Sequence, residues 1–248
     1  MGLSQERCCR LVAGEIARLA AVTEGADPAT PVPTCGGWTL ADLLEHTGTV
    51  YRWAAAMVRD SAQERYGREH MDFDVPADPV DLPAWIAAGS EPTVEAFRDA
   101  DLETPMWAWG WPKAAVFWPR RMVHEIGVHR ADAELALGRE VAFDPEVAAD
   151  GVSELLDNLP HAAYFAPGVE KLRGDGEVLG FEATDAGVSW RVTLEPDAFH
   201  WSLDTGPAST TVRAPARDLL LALYGRPACI DIVGDDDLFD RWIANSAL

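Results

Sequence analysis

The chain has 248 residues, 48% of them hydrophobic and 25% charged, a balance that belongs to a folded globular protein and excludes a disordered one. Its 20 basic residues stand against 41 acidic ones, and a net charge of −21 sets the surface against phosphate backbones and anionic lipid headgroups, so neither nucleic acid nor a membrane is expected as a partner. No apolar run approaches the ~20 residues of a bilayer-spanning helix, and the opening MGLSQERCCRLVAG lacks a signal-like apolar stretch, so the expected location is the cytoplasm.

Residues 5–23 carry Leu11, Val12, Ile16 and Leu19 at helical spacing. The proline- and glycine-rich GADPATPVPTCGG that follows is a loop. WTLADLLEHTGTVYRWAAAMVRD is the clearest helix. Thr39 is its N-cap, with Asp42 three residues on as in a capping box. Leu43, His46, Thr47 and Val50 fall at i, i+3, i+4 and i+7, which puts His46 on the stripe turned to the core. Residues 66–82 are polar and contain proline, a further loop. LPAWIAAGSEPTVEAFRDA reads as a helix interrupted between Gly89 and Pro92. Trp107, Trp109, Trp111 and Trp118 follow in a stretch broken by Pro105, Gly110, Pro112 and Pro119, either a wall of a pocket or core filling. A fourth helix runs from Arg120 to Leu137 and stops at Gly138. Four helices with such loops predict a bundle.

After residue 145 the pattern changes. PEVAADGVSELLDNLPHAAYFA is helical, and GEVLGFEAT and VSWRVTLEP alternate with period 2 around the turn DAG. AFHWSLD and STTVRA continue the sheet, PARDLLLALYGR is a helix, CIDIVG a strand and DDDLFDRWIANSA a last helix. The expected division is therefore a helical domain over 1–145 and an α+β domain over 146–248.

The chemistry concentrates in RRMVHEIGVHRADAE. Residues four apart on a helix differ by about 40° around its axis and residues five apart by about 140°. Glu125 and His129 therefore share a face, with Met122, Ile126, Ala133 and Ala136, and His124 points elsewhere. A carboxylate and an imidazole in an apolar stripe need partners, and His46 sits on the inner stripe of another helix. Two imidazoles and one carboxylate from facing helices suit a divalent metal with one position left for water or substrate; an intrahelical Glu–His hydrogen bond is the plainer alternative. The spacing H-E-x-x-x-H differs from the HExxH of metalloproteases, so Glu125 is expected as a ligand and not as a general base. Arg52, six residues after His46, lies about 240° round the helix and should face away. His70, His161 and His200 read as surface or structural. Cys8, Cys9, Cys35 and Cys229 contain no CxxC and read as reduced structural thiols. No G-x-S-x-G nucleophile elbow is present.

Three segments carry a resemblance. TCGGWTLADLLEHTGTVYRW resembles the C-x-GW…H segment of the mycothiol-dependent maleylpyruvate isomerase family, RRMVHEIGVHRADAELALG is similar to that family's second metal-binding helix, and STTVRAPARDLLLALYGR with DIVGDDDLFDRW is similar to its C-terminal domain. The resemblance implies a DinB-like four-helix bundle followed by a small α+β domain of sterol-carrier-protein type. It implies zinc, or another divalent metal, bound by His46, Glu125 and His129, with mycothiol as cosubstrate and an actinobacterial source. It further implies a basic residue of the second domain at the active site, for which Arg226 in LYGRP is the candidate, against the plainer reading of an arginine complementing a helix C-terminus. The expected activity is addition of a thiol to an electrophilic small molecule, as S-transferase or cis–trans isomerase. A metal-dependent hydrolase without thiol and a non-catalytic small-molecule binder stay open as alternatives.

Overall fold

A computed structural model describes residues 3–246, with all their side chains except that of His70. The chain divides into two compact units between Val141 and Ala142, within the segment that follows the last helix of the first unit.

The first unit is helical. Its elements are α1 (Gln5–Thr23), α2 (Leu40–Arg59), α3 (Leu82–Ala88), α4 (Ser90–Asp99) and α5 (Phe117–Ala136). α1 and α2 each pack against α5 and against the α3–α4 pair, so the two short helices together form one side of a four-sided bundle. α3 and α4 meet at Gly89, where an added Cβ would fall 2.5 Å from the Arg52 guanidinium and 2.6 Å from the Tyr51 hydroxyl. α2 starts where the sequence says: Asp42 Oδ2 accepts from the Thr39 amide at 2.8 Å, and Thr39 Oγ1 accepts from the Asp42 amide at 3.3 Å.

α5 departs from expectation in two respects. It begins at Phe117 rather than Arg120, because Pro119 is accommodated in the first turn, where its missing N–H has no intrahelical partner to lose. It is also buried on almost every face between Phe117 and Ala133. Such a helix has no single apolar stripe, since the bundle surrounds it. The tryptophan-rich stretch feeds this packing: Trp107 stacks on Trp118 at 5.8 Å between ring centroids, and Trp53 of α2 meets both edge-on. Trp53 and Trp118 are buried in the core of the first unit, Trp107 and Trp109 are half-buried, and Trp111, 63% accessible, lies open to solvent.

The second unit has α6 (Pro145–Asn158), the strands β1 (Val178–Ala183), β2 (Val188–Leu194), β3 (Phe199–Leu203), β4 (Thr210–Ala214) and β5 (Asp231–Gly234), and the helices α7 (Ala216–Leu223) and α8 (Asp236–Ile243). The sheet order is β3-β2-β1-β4-β5, with β1 and β4 parallel and the other pairs antiparallel. Phe181 pairs with Trp190 in the β1–β2 register, and both are fully buried. Trp190 Nε1 donates to Ser153 Oγ of α6 at 2.8 Å, which ties that helix to the sheet. The observed fold class is a helical bundle followed by a small mixed-sheet domain. Among the described residues, no helix is long and apolar enough to cross a membrane.

Candidate metal centre

Three elements of the first unit bring the site together. α5 supplies Glu125 and His129 one turn apart, α2 supplies His46 from its second turn, and the loop between α1 and α2 supplies Cys35 and Trp38. That loop is closed by its own backbone: the Val32 amide donates to Trp38 O at 2.8 Å and the Trp38 amide to Cys35 O at 2.9 Å. Gly37 has φ +83°, a conformation glycine adopts without penalty. The tight turn presents Cys35 and Trp38 together, immediately before the cap of α2.

His46, Glu125 and His129 converge. His46 Nε2 lies 3.3 Å from Glu125 Oε1, and His129 Nε2 lies 3.5 Å from the same oxygen. One donor atom from each residue falls within 4.8 Å of the others. These separations lie at the long end of hydrogen bonds to a carboxylate. They match the ~3.3 Å edge of a tetrahedron whose centre holds zinc at about 2.0–2.1 Å from nitrogen and oxygen ligands. The donor set, two imidazoles and a carboxylate, fits a divalent cation of zinc type.

The three side chains are not core residues. His46 is 28% accessible, Glu125 22% and His129 13%, and the last two are the most open positions on the central turns of α5. The sequence reading placed them on a core-facing stripe. On a helix buried all round, the polar pair marks instead the face that opens on the site. His124 is fully buried and lies outside the trio.

Surrounding groups fix the trio. Arg121, one turn before Glu125, donates from Nη2 to Glu125 Oε2 at 3.2 Å. Asp132 Oδ2 lies 3.0 Å from His129 Nδ1 and accepts from Cys35 Sγ at 3.3 Å. The Trp38 ring packs against His46 at 4.8 Å and against His129 at 6.1 Å, and the two imidazoles meet edge-on at 5.1 Å. Burial works to raise the Glu125 carboxyl, but hydrogen bonds from His129 and His46, with the charges of His129 and Arg121, outweigh it and hold the group well below the usual carboxylate range. Burial disfavours a charged His129; its hydrogen bonds with Asp132, Cys35 and Glu125 prevail and lift it well above the ordinary histidine value.

Sequence reasoning missed Arg121, Asp132, Cys35 and Trp38. Arg121 and Asp132 were visible as charges one turn from a candidate ligand on the same helix. Cys35 and Trp38 stand in the TCGGW segment, where Cys35 reads as a reduced structural thiol; it is a thiol that donates to Asp132. Arg52 turns away, as its angle on α2 requires: it donates to Trp85 O at 2.5 Å and to Gly48 O at 3.1 Å, with its guanidinium carbon 4.0 Å from the centre of the Trp85 ring. In the second unit Arg226 follows Gly225, at φ +73°, just past α7; it donates from Nη1 to Tyr224 O at 2.7 Å and is half-buried. His200 is an exposed strand residue with Glu195 Oε2 at 3.3 Å, and His161 is exposed. The side chain of His70 lies outside the described residues.

Two family models cover the chain. The mycothiol maleylpyruvate isomerase N-terminal domain matches residues 9–134, and the MDMPI C-terminal domain matches residues 146–241. No curated protein matches it. Among solved structures, the mycothiol-dependent maleylpyruvate isomerase is similar at 15% identity with a TM-score of 0.61, over 93% of both chains. A histidine-to-alanine mutant of that enzyme is similar at 14% identity with the same score and coverage. At such identity the likeness is one of fold. The two domain matches, in order and over most of its length, place this chain in the mycothiol maleylpyruvate isomerase family.

Proposed function

We propose that this protein is a zinc- and mycothiol-dependent enzyme that activates a low-molecular-weight thiol for addition to an electrophilic small molecule. The observation that carries the reading is the convergence of His46, Glu125 and His129, from two helices, with both imidazoles near the tetrahedral edge length from Glu125 Oε1 and one donor atom of each residue within 4.8 Å of the others. Three protein ligands leave such an ion one position for a small molecule, the pattern of a catalytic rather than a structural site. When bound, the ion supplies the positive charge that brings a thiol's pKa toward neutrality.

The chain's own residues do the positioning. His129 and His46, with Arg121 behind them, keep Glu125 anionic, and the Arg121 contact to Oε2 leaves Oε1 to the imidazoles. Trp38 lies against both rings and limits their rotation. A thiolate adding to a conjugated double bond moves the π electron pair onto the acceptor and permits rotation about what has become a single bond; expulsion of the thiolate by that pair completes an isomerisation, and protonation at carbon with the sulfur retained completes a transfer. Membership of a family named for maleylpyruvate isomerisation supports this class of chemistry. Arg226 is assigned to the substrate's anionic group, for which a guanidinium is the fitting partner.

Calorimetric titration of mycothiol into zinc-loaded and chelator-stripped protein tests the reading. Binding to the loaded form alone is expected. Equal binding to both forms would contradict it, and turnover of a substrate with no thiol present would transfer the assignment to hydrolysis. For Arg226→Met, the KM for a carboxylate-bearing electrophile should rise about tenfold or more, the value of a charge-assisted hydrogen bond; an unchanged KM removes that residue from the assignment.

A further inference from the structure

Behind His129 lie two groups that the ligand trio does not use. Asp132 is fully buried on α5, and Cys35 reaches it from the closed turn ahead of α2. His129 Nδ1 and Cys35 Sγ, from separate elements, meet at one oxygen, Asp132 Oδ2, at 3.0 and 3.3 Å. A neutral imidazole carries one ring proton. The nitrogen that faces a carboxylate keeps it, and the other is left with the lone pair that a metal needs. Both ring nitrogens of His129 face a carboxylate oxygen, but Nδ1 lies 3.0 Å from Asp132 Oδ2, within hydrogen-bond reach, whereas Nε2 lies 3.5 Å from Glu125 Oε1, so the nearer carboxylate holds the proton on Nδ1. A buried carboxylate, in turn, holds a fixed orientation only when its own lone pairs are engaged.

We propose that Asp132 and Cys35 are positioning residues of the metal centre: Asp132 holds the proton of His129 on Nδ1 so that Nε2 presents its lone pair to the ion, and the Cys35 thiol donates to Asp132 Oδ2 and fixes that carboxylate in place. The inference rests on the trio binding a divalent ion. It gives the cysteine of the TCGGW turn a role as hydrogen-bond donor, neither nucleophile nor ligand. A competing use of the same atoms exists, because Cys35, His129 and Asp132 also offer donor atoms within 4.8 Å of one another and could themselves ligate a metal. Serine at position 35 and the loss of His46 separate the two.

Zinc affinity of the full chain is measured by competition with a chromophoric chelator in wild type, Cys35→Ala, Cys35→Ser, Asp132→Asn and His46→Ala, together with the ions bound per chain. The ring tautomer of His129 in the zinc-loaded protein is read by nitrogen-15 NMR. One ion per chain is expected. Asp132→Asn should bind zinc roughly 10–100-fold more weakly and Cys35→Ala about tenfold more weakly, as for other outer partners of metal-bound histidine. Cys35→Ser, which keeps an O–H donor at the same place, should recover most of the Cys35→Ala loss, and a serine cannot do this for a lost thiolate ligand. His129 should carry its proton on Nδ1. Wild-type affinity in both Cys35→Ala and Asp132→Asn, equal losses in Cys35→Ala and Cys35→Ser, two ions per chain, or a proton on Nε2 would each overturn the inference. Wild-type affinity in His46→Ala, or no zinc bound by wild type, would instead bring down the trio on which it rests.

Discussion

Glu125 is the pivot at the scale of single residues, since one of its oxygens faces both imidazoles and the other receives Arg121. Glu125→Gln keeps the shape and removes the charge. It should weaken zinc retention at least about tenfold while leaving the melting temperature of the zinc-free protein within a few degrees, because the side chain is partly open to solvent; an unchanged zinc affinity would rule out its assignment as a ligand. Tyr51 makes a prediction of a different kind. Its hydroxyl donates to Ile86 O at 2.6 Å and accepts from Arg52 Nη1 at 2.7 Å, and burial pushes the phenol up to about 12 in spite of the neighbouring guanidinium. A raised folded-state value means that stability is fully present below the ordinary tyrosine pKa near 10 and is lost as pH rises through the folded value. One of the four tyrosines should therefore ionise only near pH 12 by ultraviolet titration, with stability falling above pH 10; four ordinary titrations would contradict the buried environment. The meeting of His46, Glu125 and His129 was legible in part: residue type and helical spacing offered a metal site or a plain Glu–His hydrogen bond, and the family resemblance implied the ligand set. Asp132 was not, because an acid on a helix is most often a solvated charge, and only the tertiary fold shows that this one is fully buried.

Secondary elements decide where those residues point. α5 is held to α1 by a buried ion pair: Arg130, adjacent to His129, donates from Nε to Glu15 Oε2 at 2.6 Å, and its Nη1 bonds Glu134. Arg130 and Glu15 are 1% and 2% accessible. Arg130→Ala would leave the buried Glu15 with the half-exposed Arg18 as its remaining partner and should cost about 3 kcal/mol, the low end of the usual loss when one side of a buried pair is removed. Chemical denaturation would measure it, and a loss under about 1 kcal/mol would show that the pair is dispensable. The sequence made α2 legible through its capping box, and the β1–β2 hairpin through period-2 alternation around a turn. It did not make α5 legible as a central helix. The sequence shows one apolar stripe with Glu125 and His129 in it, and the charges on the other faces find their partners, Glu15 of α1 among them, only in the tertiary fold.

For the molecule as a whole, the proposed ligands lie on α2 and α5, both helices of the first unit. A ligand that binds only the folded state stabilises it by an amount set by concentration over Kd, about 2.7 kcal/mol at a hundredfold excess. Hydrogen exchange of zinc-loaded against stripped protein should show added protection in α2 and α5, well above any change in β1 to β5; protection spread evenly over both units would contradict a site confined to the bundle. The net charge of −21 is consistent with a small-molecule enzyme whose cations work locally, as Arg121 does beside Glu125. The two-domain order was legible because the periodicity of the sequence switches after residue 145. The opening of the site on α5 was not, since it depends on how the bundle closes around that helix. The most direct test of the account is the metal content of the purified protein after saturation with zinc and removal of the excess, compared with that of His46→Ala. One zinc per chain in wild type and a small fraction of that in the variant is the predicted result; full occupancy in His46→Ala, or none in wild type, would contradict it.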